Sequence, residues 1–197
     1  MSNLIKFLKA RQTVLEMLRD RKYHIDEYFN ENGEYIQPSE EQYRANCLKL
    51  MVNKNDEEKI LVLFYEKKIG IDILKSIVTE MDDIDIKHTI LIVNHKITSF
   101  AKKEINNLSS KYYFEIFLQE EMLYNITKHR IVPEHILLSD TETKKIIDCY
   151  GKKTFYLPKI FNTDAICKYY DGKVGNIFKI LRPNNIYYRV VVKDPRR

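Results

Sequence analysis

The triplet Glu66-Lys67-Lys68 follows the apolar run Leu61–Tyr65, which sets an acid and a lysine at the end of a strand. Two carboxylates converging on Mg²⁺, with a lysine stabilising phosphate charge, would make a metal-dependent nuclease. Asp56 is the available second acid. It falls in a turn at the other end of the same strand, so strand and turn would hold it roughly 20–30 Å from Glu66. The competing reading is a solvated charged turn. A second candidate is Asn94-His95-Lys96-Ile97-Thr98-Ser99-Phe100-Ala101-Lys102-Lys103, which joins a strand to a helix start. Backbone N–H groups there favour phosphate, and Thr98, Ser99, Lys96, Lys102 and Lys103 add donors. The competing reading is an ordinary capped helix among solvated lysines. His129 and His135 are six residues apart with Pro133 between them, the wrong spacing for one helix face, so packing or surface roles are expected rather than a metal. No Gly-rich phosphate loop and no recognisable Ser or Cys nucleophile setting occurs. Cys47, Cys149 and Cys167 lack Zn-ligand or redox spacing, and their odd number argues for a reducing compartment. No cofactor is expected.

The elements that would position these residues follow from periodicity. Residues 3–22 carry Leu4, Phe7, Leu8, Val14, Leu15 and Leu18 at helical spacing, with Ser2 as a cap. Gly33 and Pro38 punctuate a loop over 30–41. Residues 47–53 alternate, Lys59–Tyr65 reads as a more buried strand, and a turn at 55–58 makes them a hairpin. Helices are predicted from Gly70 to about Met81 and over 98–108, with strands at 89–94 and 112–117. Such alternation argues for a sheet with helices against it. Residues 129–133 read as an extended crossing segment, with Pro133 suiting a sheet edge. Ser139 and Glu142 form a capping-box pattern, and Gly151 ends that helix. Leu157-Pro158 starts a turn, Thr163 caps a short helix ending before Gly172, and strands follow at 176–182 and 186–192 around Pro183-Asn184-Asn185.

Composition bounds the class. The apolar runs are far too short to cross a bilayer, so no membrane role is expected. Met1–Lys6 lacks the pattern of a signal peptide, and 14 Tyr with 9 Phe exclude a disordered chain. Residues 1–120 hold 18 Lys+Arg against 20 Asp+Glu, whereas residues 121–197 hold 15 against 8. The basic excess therefore sits in the last 77 residues, which suggests two modules, the second facing something acidic or simply a basic soluble surface.

Four blocks in the second module carry a resemblance. Asn125–Ile136 resembles "NITEHELVPEHV", Leu157–Ile160 resembles "LPRI", Gly175–Pro183 resembles "GQVVKIIRP" and Ile186–Val190 resembles "YITYRLV". In the first module Ala10–Val14 resembles "IRKTI", Arg19–Tyr23 resembles "HDRGY" and Lys111–Glu121 resembles "KYILEQFLQQE". These are blocks of the fifth-largest shared subunit of nuclear RNA polymerases I, II and III, in its longer eukaryote-type form.

The resemblance implies an α/β (α+β) chain of two domains. Residues 1–124 would be a jaw domain, a mixed sheet with flanking helices, similar to the nuclease fold but without its active site. Residues 125–197 would be an assembly domain, a small mixed sheet with two helices. It implies a non-catalytic subunit of a DNA-directed RNA polymerase, with no metal and no catalytic residue. Its partners would be the largest subunit, other polymerase subunits and downstream duplex DNA, met independently of sequence. The family's "TPSA" turn near DNA falls on Thr98-Ser99-Phe100-Ala101, with Ser99 and Phe100 in place of Pro and Ser. The DNA-proximal set is then Lys96, Thr98, Ser99, Lys102 and Lys103. The largest-subunit interface would hold Val132, Pro133, Glu134, His135, Leu157, Pro158, Ile160, Arg182 and Arg189. The two arginines are expected on adjacent strands, holding acidic groups. The family's Asp-Pro helix opening is Asp164-Ala165 here, and the last hairpin is shorter. Abundant Ile, Lys, Asn and Tyr suit an AT-rich genome: a large DNA virus, with virion and host cytoplasm as the location, or a fast-evolving cell, with the nucleus. The alternative function is a stand-alone metal-dependent nuclease using Glu66 and Lys68.

Overall fold

The structure, a computed structural model, describes residues 3–38, 49–54, 58–149 and 157–196. Ser2, Cys47, Asp56 and Gly151, each given a role above, lie outside the described residues. The chain forms two compact units, Met1–Tyr124 and Asn125–Arg197.

The first unit begins with helix α1 (Asn3–Asp20). Of the expected face, Phe7, Val14, Leu15 and Leu18 are buried and Leu8 is half-buried, but Ala10, Met17, Arg11, Thr13 and Glu16 are buried as well. A helix enclosed on most of its surface belongs inside a layer rather than on top of one. The sheet runs β1 (Lys49–Asn53), β2 (Lys59–Tyr65), β3 (His88–Val93), β4 (Tyr113–Leu118) in that spatial order. β1 is antiparallel to β2, whereas β2, β3 and β4 are parallel. Parallel strands need helical crossovers, supplied by α2 (Ile71–Asp83) and α3 (Ser99–Leu108). Leu61, Leu63, Leu91 and Val93 pack with Leu74, Ile77, Met81 and Ala101 on one face. On the other face Phe64 meets Phe7 of α1, ring centroids 4.9 Å apart. Burial on both faces explains why β2 is apolar at every position from Ile60 to Phe64 instead of alternating.

The second unit is a mixed sheet in the order β5 (Glu134–Leu137), β7 (Ile177–Arg182), β8 (Asn185–Val192), β6 (Lys159–Phe161). β5–β7 and β7–β8 are antiparallel, and β6 is parallel to β8. Helix α4 (Asp140–Cys149) brings Ile146 and Ile147 to Leu138, Ile177 and Val190 on one face. Helix α5 (Ala165–Tyr169) brings Ile166 and Cys167 to Phe178, Ile180 and Val191 on the other. The capping box forms: Ser139 N–H donates to Glu142 Oε2 at 3.0 Å, and Glu142 N–H donates to Ser139 Oγ at 3.4 Å.

Three local expectations are corrected. Residues 129–133 are not an extended crossing: a 3₁₀ turn at Ile126–Lys128 is followed by a tight turn, with Val132 N–H on the His129 carbonyl at 2.9 Å. The strand starts only after Pro133, which has no N–H to give a ladder. The cap of α5 is Asp164, whose Oδ1 accepts from Ile166 N–H at 2.9 Å. Thr163 donates instead to Asp194 at 2.7 Å. The Leu157-Pro158 bend leads into β6, a three-residue strand where only a turn is expected from the sequence. As expected, α5 ends before Gly172, and Asp171 takes the left-handed conformation (φ 53°). Gly172 is required for space: a Cβ there would lie 2.8 Å from Cys167 Sγ and 3.0 Å from the Phe178 ring.

Candidate nucleic-acid interface

Two loops meet at the carboxyl ends of β2 and β3. Asn94 N–H donates to the Tyr65 carbonyl at 3.1 Å, and Thr98 N–H to the Ile69 carbonyl at 3.2 Å. Ile69 is fully buried, and Ile97 packs against the same cluster under α2 and α3. Each loop is therefore pinned by an isoleucine while its polar residues stand outward. Glu66, Lys67, Lys68, His95 and Lys96 are all exposed. Thr98 caps α3, its Oγ1 accepting from Ala101 N–H at 3.2 Å. Ala101 is buried, which seats the first turn, and Ser99, Lys102 and Lys103 face solvent. Phe100 is 69% exposed, although a large aromatic would ordinarily be drawn inward. The carboxyl end of a parallel sheet is where open α/β folds place ligand-facing loops.

The metal-nuclease arrangement does not assemble among the described residues. Lys54 and Glu58, which flank Asp56, are joined by a 2.8 Å backbone hydrogen bond at the opposite end of β2 from Glu66 and Lys68. Seven strand residues at ~3.3 Å each set these ends about 20 Å apart. Among the described residues no group of three His, Cys, Asp or Glu side chains converges as a metal site. The two histidines are engaged locally: His129 Nδ1 accepts from Ile131 N–H at 3.3 Å, and His135 Nδ1 donates to the Pro133 carbonyl at 2.7 Å.

On the second unit, Glu134 and Pro158 are exposed, and Val132, Pro133 and His135 are half-buried. Leu157 and Ile160 are 3% and 6% exposed and belong to the unit's own core. Arg182 and Arg189 are exposed on neighbouring strands β7 and β8. Arg182 pairs with Asn185, and Arg189 with Phe178, so both point to one face of the sheet. Arg182 lies over the Tyr187 ring at 5.3 Å.

A buried ionic cluster in the first unit has no counterpart among the sequence expectations. Arg21 grips Glu115 through two 2.7 Å hydrogen bonds, and His88 Nε2 lies 2.8 Å from the same carboxylate. Burial pushes the Glu115 carboxyl up, but the His88 hydrogen bond and the Arg21 charge outweigh it and hold the group at about 2. Arg21 and Glu115 belong to two of the motif blocks noted above, 94 positions apart. Their joint appearance in those blocks is the one signal of the contact that the sequence carries.

Two family descriptions match the chain. "RNA polymerase Rpb5, N-terminal domain" covers residues 2–81, and "RNA polymerase Rpb5, C-terminal domain" covers 124–192. The DNA-directed RNA polymerases I, II, and III subunit RPABC1 of Caenorhabditis briggsae is 34% identical, over 93% of this chain and 94% of its own. The subunit of the same name in Dictyostelium discoideum is 34% identical, over 98% of this chain and 100% of its own. The DNA-directed RNA polymerase V subunit 5A of Arabidopsis thaliana is 29% identical, over 89% and 81%. With both domain descriptions matched in order and the similarity running nearly end to end, the chain belongs to the RNA polymerase Rpb5 family.

Proposed function

We propose that this protein is a structural, non-catalytic subunit of a multisubunit DNA-directed RNA polymerase. Residues 125–197 dock on the largest subunit as an assembly domain, and residues 1–124 form a jaw domain beside downstream duplex DNA. The observation that carries this reading is the family match in both units. The loop holding Lys96, Thr98, Ser99, Lys102 and Lys103 is the DNA-proximal element, where lysines meet phosphate without reading bases. Docking uses the exposed and half-buried residues Val132, Pro133, Glu134, His135 and Pro158. Arg182 and Arg189 face acidic groups of the partner. Leu157 and Ile160 contribute from beneath, by holding β6 and the bend before it. The compartment follows the polymerase: the nucleus for a cellular enzyme, the virion and host cytoplasm for a viral one. The test is affinity capture of the tagged chain from its source, with quantitative mass spectrometry. Recovery of the two largest polymerase subunits at near-equal stoichiometry is the expected result. Recovery of the chain alone, with the polymerase intact elsewhere, overturns the reading.

A further inference from the structure

We infer that Lys67 and Lys68, at the end of β2, form a second row of phosphate contacts on the DNA-facing surface, continuous with the Lys96–Lys103 segment. The inference rests on the polymerase reading above and extends its DNA site to a loop that reading does not use. The two backbone bonds between the loops, Asn94 to Tyr65 and Thr98 to Ile69, bracket Glu66–Lys68 on one side and His95–Ile97 on the other. Adjacent strands lie ~4.8 Å apart, so the two lysine-bearing loops are neighbours on one surface. Neither can swing away from the other without breaking the ties or lifting Ile69 or Ile97 out of the core.

This surface runs against the net charge of its unit. Residues 1–124 carry 18 basic against 21 acidic side chains, a net of −3. The two loops and the first turn of α3 reverse that sign, with Lys67, Lys68, Lys96, Lys102 and Lys103 against Glu66 and Glu104. All five lysines are exposed, and none is held by a carboxylate of the described residues. By contrast Lys49, Lys54 and Lys111 of the same unit pair with Glu80, Glu58 and Asp82. Unpaired lysines in two adjoining rows suit a duplex that presents one phosphate charge per ~1.7 Å of axis. A lysine ammonium offers no bidentate fork for a base edge, so the contact is independent of sequence.

The experiment uses the assembled polymerase and a DNA scaffold with a duplex ahead of the active site. Binding is measured across a salt series for Lys67→Ala/Lys68→Ala and, separately, for Lys96→Ala/Lys102→Ala/Lys103→Ala. Each phosphate contact adds about 0.9 to the slope of log affinity against log salt. The Lys67/Lys68 variant is expected to lower that slope by nearly two, equally on unrelated sequences, with subunit stoichiometry unchanged. An unaltered slope there, with a reduced slope in the triple variant, overturns the inference and leaves the proposed function standing. Unaltered slopes in both variants overturn the inference together with the DNA-proximal reading.

Discussion

Glu115 shows how one side chain can govern the stability of a unit. It is buried against the Arg21 guanidinium and the half-buried His88 ring, and a carboxylate stripped of water is tolerated only while its partners remain. Arg21→Ala would strand the charge and is expected to cost about 3–5 kcal/mol, read as reduced hydrogen-exchange protection of the β3–β4 amides. Arg21→Lys keeps the charge but loses the two-pronged grip, so it should recover only part of that stability. The pH dependence follows from the carboxyl being held at about 2, below its ordinary 4.5. A group lowered in the folded state adds stability above the unfolded value and loses it as pH falls through the folded one. The native chain should therefore lose this contribution as pH falls from about 4.5 to about 2. Glu115→Gln should flatten the curve over that window in an acid titration of unfolding. His88 carries no signal in the sequence, because its partner lies 27 positions away on the next strand.

Individual elements are legible where local rules decide them. The β1–β2 hairpin, helices α2 and α3, and the Ser139–Glu142 box follow from periodicity and capping chemistry, which act within a few residues. β6 is not legible, because three residues carry no period and the strand exists only through the pairing of Lys159–Phe161 with Val190–Val192. The turn at 129–132 is hidden for a similar reason: β-branched Ile131 and Val132 favour extended backbone, but the packing of Val132 on the Ile160–Phe178 cluster and its N–H bond to the His129 carbonyl go with a turn. Gly172 reads as a helix end in the sequence, and its N–H does close on the Cys167 carbonyl at 2.8 Å, but the room it leaves is not legible there. Its missing Cβ admits Cys167 and Phe178, and burial, with Asp164 and Asp171 nearby, pushes the Cys167 thiol up to about 12. Gly172→Ala should overpack this junction and cost roughly 1–3 kcal/mol, measured by denaturant unfolding. Exposed Gly33, already at φ 75° and with nothing within 4 Å of where a methyl group would sit, would respond through backbone strain instead.

At the scale of the whole molecule, the basic excess of the second unit is visible in the sequence, but its placement is not. Charge counts cannot say which residues share a face, and only the β7–β8 register sets Arg182 and Arg189 together. If they hold acidic groups of the largest subunit, Arg182→Ala/Arg189→Ala should leave the fold intact, since both are exposed, and reduce co-purification with the polymerase several-fold. Undiminished incorporation would remove them from the interface. The lysine-bearing loops show the same limit: their residues stand out separately, for cleavage and for binding, and only the parallel pairing of β2 with β3 joins them. The strand order of the second sheet also bears on how the protein is made. β8 lies between β7 and β6, yet it is the last of the four to leave the ribosome. Until Asn185–Val192 emerges, β6 has no neighbour and β7 has only β5. The first unit can close during translation, as domains generally do, whereas the second must wait for its final strand. A premature stop at the turn before that strand would thus yield a finished first unit joined to an unclosed second sheet, a species that exposes apolar edges to the cell's quality control.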